Sequence, residues 1–142
     1  MKKLLSVMGS LVLSMVLLFG FSGLASAASS YGGFETDGPR YGEAYSIYGV
    51  SSGQTIKVKI NWCANVNWAT YRATSMYVFR CGTALSVKLY NPSTGNYTST
   101  KVVGSDGYVT FTNMRGGTYD IYFYDSWSDY FFRGDSTATS YY

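Results

Sequence analysis

The stretch QTIKVKINWC (residues 54–63) alternates without a break: Ile56, Val58, Ile60 and Trp62 share one parity, and Lys57, Lys59 and Asn61 share the other. Successive side chains of a strand point to opposite faces, so this pattern describes a strand with one buried face and one solvated face. Its neighbours read the same way. EAYSIYGV (43–50) is an expected strand that ends at Ser51-Ser52-Gly53. TSMYVFRC (74–81) and ALSVKLYN (84–91) follow, the second with Leu85, Val87 and Leu89 inward. NPSTGN (91–96) is a turn by composition. YTSTKVV (97–103) and GYVTFTN (107–113) flank Ser105-Asp106-Gly107, a glycine-bearing hairpin turn. Met114 to Gly117 turns the chain into TYDIYFYD (118–125), and DYFFRGD (129–135) is a last strand before a polar tail.

The predicted architecture is all-β: an antiparallel β-sandwich, jelly-roll or Greek-key-like, of about seven or eight strands. Residues 28–42, ASSYGGFETDGPRYG, are rich in turn formers and read as a loose leader or edge segment before a single domain over 43–142. No helical stripe is expected outside residues 1–27.

Residues 1–27 read as a helical signal peptide. Lys2-Lys3 is a basic start, Leu4 to Phe21 is nearly all apolar, and Ala25-Ser26-Ala27 offers the small residues of a cleavage site. The apolar run is almost long enough to span a bilayer, and the cleavage site behind it decides for a removable leader over an anchor. The expected product is secreted, with no stable membrane insertion after cleavage at Ala27. Loss of Lys2 and Lys3 lowers the net charge from +3 to +1, nine basic residues against eight acidic ones. That is no electrostatic footprint for nucleic acid.

Cys63 and Cys81 are the only cysteines. In an oxidising compartment they are expected to form a disulfide; free thiols or two metal ligands are the alternatives, and with no histidine they make a poor zinc site. Cys63 shares parity with the polar face of its strand, and Cys81 with Tyr77 and Phe79. Parity leaves two placements open: the outer face of neighbouring strands, or a clasp over the 64–75 loop.

YGVSSGQTIKVKINW, LSVKLYNPSTGN and GGTYDIYFYDSWSDYFF together resemble the bacterial pre-peptidase C-terminal domain family, over about residues 43–133. The resemblance implies a small secreted jelly-roll-like sandwich, non-catalytic and usually appended to an exported protease. The chain departs from that pattern in having no protease domain, in its aromatic middle (64–80) and in its two cysteines. VKLYNPSTGNYTSTKVVGSDGYVTFTNMRGGTYDI (87–121) is also similar to the prealbumin-like domains of bacterial surface adhesins. Those domains often carry a Lys–Asn isopeptide bond, which does not carry over because no asparagine follows Asn113.

Without histidine no Ser-His-Asp or Cys-His arrangement can be built. A carboxylate pair could in principle come from Glu35, Glu43, Asp106, Asp120, Asp125, Asp129 or Asp135, of which only Asp120, Asp125 and Asp129 lie close in sequence. They read more simply as loop and edge acids, so no enzyme is expected. Asp125, Asp129 and Asp135 are weak calcium candidates whose spacing matches no EF-hand loop. The glycine pairs (Gly32-Gly33, Gly116-Gly117) are turn glycines, and no cofactor is expected.

Fifteen Tyr, eight Phe and three Trp remain to be explained, and every Tyr and Trp lies beyond the leader. Strand propensity and cross-strand pairing, at about 0.2–1 kcal/mol per pair, account for part of them. The rest point to recognition, because Tyr and Trp join a flat apolar face to a polar tip. The candidate binding residues are Tyr122, Tyr124, Trp127 and Tyr130 as one surface, with Trp68 and Tyr71 as a second. The expected function is that of a secreted binding module for cell-wall or matrix polysaccharide. The alternatives are a self-assembling matrix protein, with tyrosine-rich edges pairing into fibres, and a small toxin or inhibitor acting on an extracellular protein.

Overall fold

The computed structural model describes residues 27–36 and 42–142; the expected leader and its cleavage site lie almost entirely outside them. The strands are β1 (Ser29–Glu35), β2 (Gly42–Val50), β3 (Thr55–Asn67), β4 (Ala73–Met76), β5 (Leu85–Asn91), β6 (Asn96–Tyr97), β7 (Lys101–Val102), β8 (Tyr108–Phe111), β9 (Gly117–Asp125) and β10 (Tyr130–Tyr141). Among the described residues one helix, α1 (Val78–Ala84), interrupts them. All pairings are antiparallel, in two sheets.

The first sheet runs β1-β10-β3, with β8 and β4 sharing the far edge of β3 at opposite ends. The second runs β2-β9-β5, with β6 and β7 on the far edge of β5. Strand positions β1-β10-β3-β8 over β2-β9-β5-β6/β7 are those of a jelly roll, in which paired Greek keys wrap two sheets around one core. The core holds Ile56, Val58 and Ile60 from β3, Leu85, Val87 and Leu89 from β5, and Tyr119, Ile121 and Phe123 from β9. Phe34 of β1 stacks on Phe123 at 4.3 Å between ring centroids, closing one side of the sandwich.

One local expectation is narrowed and three are corrected. Residues 28–42 contain an edge strand, because β1 pairs with β10 from Ser29↔Thr139 to Glu35↔Arg133. The tail after residue 135 belongs to that same β10, with Ser136, Ala138 and Ser140 buried in alternation. The strand expected over 97–103 is broken into β6 and β7. These changes bring about seven or eight expected strands to ten.

The last correction is the strand expected over 74–81. It ends at Met76 and gives way to α1, whose inner face takes Val78 and Cys81, a three-residue spacing that fits a helix better than a strand. No side chain caps its N-terminus and no charge complements either end. Packing and the Cys63–Cys81 disulfide hold it. Gly82 lies so close to the Gly104 carbonyl that a Cβ would stand 2.3 Å away.

A β-bulge in β3 decides how that disulfide is placed. Ser136 pairs with Ile60 and Asp135 with Trp62, leaving Asn61 as the extra residue. Beyond it the parity reverses. Trp62, expected in the core, is 42% exposed, and Cys63, expected on the polar face, is fully buried beside Cys81. The bond is therefore neither on an outer face nor a clasp over a loop: it ties β3 to α1 inside the core cluster. Gly134, opposite Cys63, completes the bulge; a Cβ there would come within 2.0 Å of the Trp62 carbonyl.

Candidate functional site

Reversed parity also places Ala64, Val66 and Phe131 outside the main core yet nearly inaccessible. Trp68 covers Phe131, with ring centroids 4.4 Å apart. The backbone N–H of Trp68 donates to the Asp129 carbonyl at 3.1 Å, joining the β3–β4 loop to the β9–β10 loop. Asn67 organises the first of these loops, its Oδ1 accepting the N–H groups of Ala69 and Thr70 at 3.0 Å each. Asn67, Trp68 and Ala69 on one side and Ser128, Asp129 and Tyr130 on the other line a cleft of about 400 Å³.

Trp127 stands beside this cleft, 39% exposed. Its ring meets Tyr130 edge-on at 5.8 Å and Phe132 at 5.2 Å. Its backbone N–H donates to Asp125 Oδ1 at 2.8 Å. The Thr36 hydroxyl donates to the other Asp125 oxygen, and the Phe132 N–H donates to Thr36 Oγ1 at 2.7 Å. One carboxylate thus fixes the end of β1, the end of β9 and the loop that carries Trp127. Burial pushes the Asp125 carboxyl above its ordinary range, and the Thr36 and Trp127 hydrogen bonds pull it partly back.

Tyr122 and Tyr124 lie elsewhere, half-buried on the outer face of the second sheet. Tyr122 stands opposite Lys88 and Tyr124 opposite Ser86. Tyr122 meets Tyr97 at 5.9 Å, Tyr97 meets Tyr90 at 4.6 Å, and Lys88 Nζ lies 3.9 Å from the centre of the Tyr97 ring. Cation–π attraction and the tyrosine rings keep Lys88 only 8% exposed. Tyr71, 71% exposed with φ of 53°, occupies the tip of the β3–β4 loop.

The six residues expected to bind are therefore regrouped. Trp68 and Tyr130 share a cleft with Trp127 beside it, Tyr122 and Tyr124 belong to a tyrosine face, and Tyr71 is a loop tip. Sequence reasoning missed Lys88, Tyr90 and Tyr97. Strand parity puts Lys88 and Tyr90 on the outer face of β5, but only the sheet order sets them beside Tyr122 and Tyr97. It also missed Trp62, which with Glu35 and Arg133 borders a cleft of about 380 Å³.

The calcium candidates do not converge. Asp125 is inward and engaged by Thr36 and Trp127, Asp129 is exposed in the cleft loop, and Asp135 lies on β10 opposite Trp62 of β3. Among the described residues no three His, Cys, Asp or Glu side chains are grouped to hold a metal ion. Among those residues, too, no helix is long and apolar enough to cross a membrane.

No protein-family model and no curated protein matches the chain. Solved structures similar to it include a periplasmic inhibitor of g-type lysozyme from Aeromonas hydrophila, 15% identical over 85% of this chain and 91% of that one, with a TM-score of 0.41. A pre-peptidase C-terminal domain of collagenase from Bacillus anthracis is 15% identical over 82% of this chain and 87% of that one, with a TM-score of 0.34. A carbohydrate-binding module of a Cellvibrio mixtus lichenase, solved with cellotriose, is 7% identical over 83% and 98%, with a TM-score of 0.34.

Proposed function

We propose that the chain is an exported, non-catalytic β-sandwich module that binds carbohydrate of a cell wall or extracellular matrix, with residues 1–27 as its cleaved leader. One observation carries the reading: Trp68 and Tyr130 line the same cleft as Asn67, Ser128 and Asp129. Aromatic faces for sugar rings, beside amide, hydroxyl and carboxylate groups for sugar hydroxyls, are the elements of a glycan site. Trp127 extends the aromatic surface at its edge, Tyr71 lies at the tip of one bordering loop, and Tyr122 and Tyr124 offer a second surface on the sheet.

The same lining favours binding over turnover. Among the described residues Asp129 is the one carboxylate in the cleft, whereas glycoside hydrolysis uses two. Asp125, the nearest in sequence, is committed inward. The buried disulfide suits an oxidising compartment, in keeping with export.

The test is depletion of residues 28–142 from solution by insoluble peptidoglycan, chitin and cellulose. One polymer should remove the wild-type protein, and Trp68→Ala/Tyr130→Ala should stay in solution while keeping its fold. Equal retention of wild type and variant on every polymer would end the carbohydrate reading.

A further inference from the structure

A third cleft, of about 270 Å³, opens where the β5–β6 turn meets the β8–β9 turn. Its lining differs in charge from that of the Trp68 cleft: among the described residues Arg115 is present and no carboxylate is. Among the described residues no acidic side chain forms an ion pair with Arg115, which is exposed. Tyr97, 52% exposed, supplies an aromatic wall, and Asn96, Thr112 and Asn113 supply neutral hydrogen-bonding groups.

Both walls are ordered in advance. The Tyr119 hydroxyl donates to the Arg115 carbonyl at 3.0 Å. Met114, next to it, donates its N–H to the Gln54 carbonyl at 2.8 Å and accepts the Gly53 N–H at 2.7 Å. Across the cleft, Asn91 Oδ1 accepts the Ser93 N–H at 3.0 Å and the Asn91 carbonyl accepts the Gly95 N–H at 2.9 Å. Turns held this way lose little freedom when a ligand arrives. Lys88 adds a second cation behind the Tyr97 ring.

From this lining we infer a second glycan site, specific for a sugar that carries a carboxylate, with Arg115 pairing the acid and Tyr97 stacking on the ring. A guanidinium matches a carboxylate in a two-pronged geometry, and with no acid in the lining nothing competes for it. The largely neutral polar walls suit hydroxyls better than a peptide's apolar side chains. The site lies beyond the Gly117 end of β9, and the Trp68 cleft lies beyond the Asp125 end. Nine strand residues separate them, about 26 Å at roughly 3.3 Å per residue. The inference shares with the reading above only the class of ligand.

The experiment is calorimetric titration of residues 28–142 with trigalacturonate, its trimethyl ester, and a short peptide with a free C-terminal carboxylate. Wild type should bind trigalacturonate on the order of tenfold more tightly than the ester, the margin expected for a charge-assisted hydrogen bond. Arg115→Gln should abolish that difference with an unchanged melting curve, and Tyr97→Ala should weaken both sugars. Trp68→Ala should bind trigalacturonate as wild type does. Absence of trigalacturonate binding, a preference for the peptide, indifference to Arg115→Gln, or loss in Trp68→Ala would each overturn the inference. Trigalacturonate binding by a protein that peptidoglycan, chitin and cellulose all fail to deplete would sink the earlier reading and leave this one standing.

Discussion

Asp125 is 2% exposed, with its carboxylate turned into the end of the sandwich. Its folded pKa is raised above the ordinary 3.8, so the folded state holds that proton more tightly than the unfolded chain does. The stability it contributes is fully present below pH 3.8 and is lost as pH rises through the folded value. Asp125→Asn keeps an acceptor for Trp127 and carries no charge. Urea midpoints from about pH 3 to about pH 7 should therefore show wild type falling relative to the variant as pH rises, and parallel curves would contradict this. Tyr45 gives the alkaline counterpart. Burial pushes its phenol up to about 12, against the pull of its hydrogen bond to Ser136. Its stabilising contribution is present below pH 10.0 and disappears as pH rises toward about 12. Tyr45→Phe should lack that alkaline loss while costing about 1 kcal/mol at neutral pH for the missing hydrogen bond, as denaturant titration at both ends would show.

At the scale of elements, one extra residue governs the region around β3. Alternation correctly reads Ile56, Val58 and Ile60 as inward and fails from Trp62 onward, because a bulge leaves no mark in the period of the residues before it. Deleting Asn61 should remove the bulge and leave a regularly alternating strand in which Trp62 still points out and Cys63 in, each opposite its present partner. Such a protein should keep the disulfide and show no thiol reactive to a chromogenic disulfide reagent under native conditions; two reactive thiols in the deletion variant would refute the role of the bulge. The bond itself closes a separation of 18 residues, so replacing both cysteines by alanine should cost about 3 kcal/mol in denaturant unfolding. Helix α1 was illegible for a related reason. MYVFRC alternates like a strand, and only the tertiary positions of Cys81 and Gly82 make a helical turn the better packing.

For the whole molecule, alternation and turn chemistry were enough to reach an antiparallel sandwich and to name the jelly roll among its forms, because two packed sheets are how alternating strands bury their apolar faces. Strand order was not legible, and the candidate site depended on it. Trp68 and Tyr130 are far apart in sequence and meet only because β3 and β10 pair from Tyr130↔Asn67 onward. Tyr122 and Trp127 are close in sequence, yet one lies on a sheet face and the other on a loop at the end of the sandwich. Carbohydrate binding at that end is the central claim, and the three tryptophans offer three separate reporters of it. The most direct measurement is a proton–nitrogen NMR titration of residues 28–142 with chitohexaose, cellohexaose and a muramyl disaccharide-peptide, following the three indole N–H signals. With one of these ligands the Trp68 and Trp127 signals should shift saturably while Trp62, on the outer face of the first sheet, stays in place. No indole shift with any ligand, or a shift of Trp62 alone, would contradict the account.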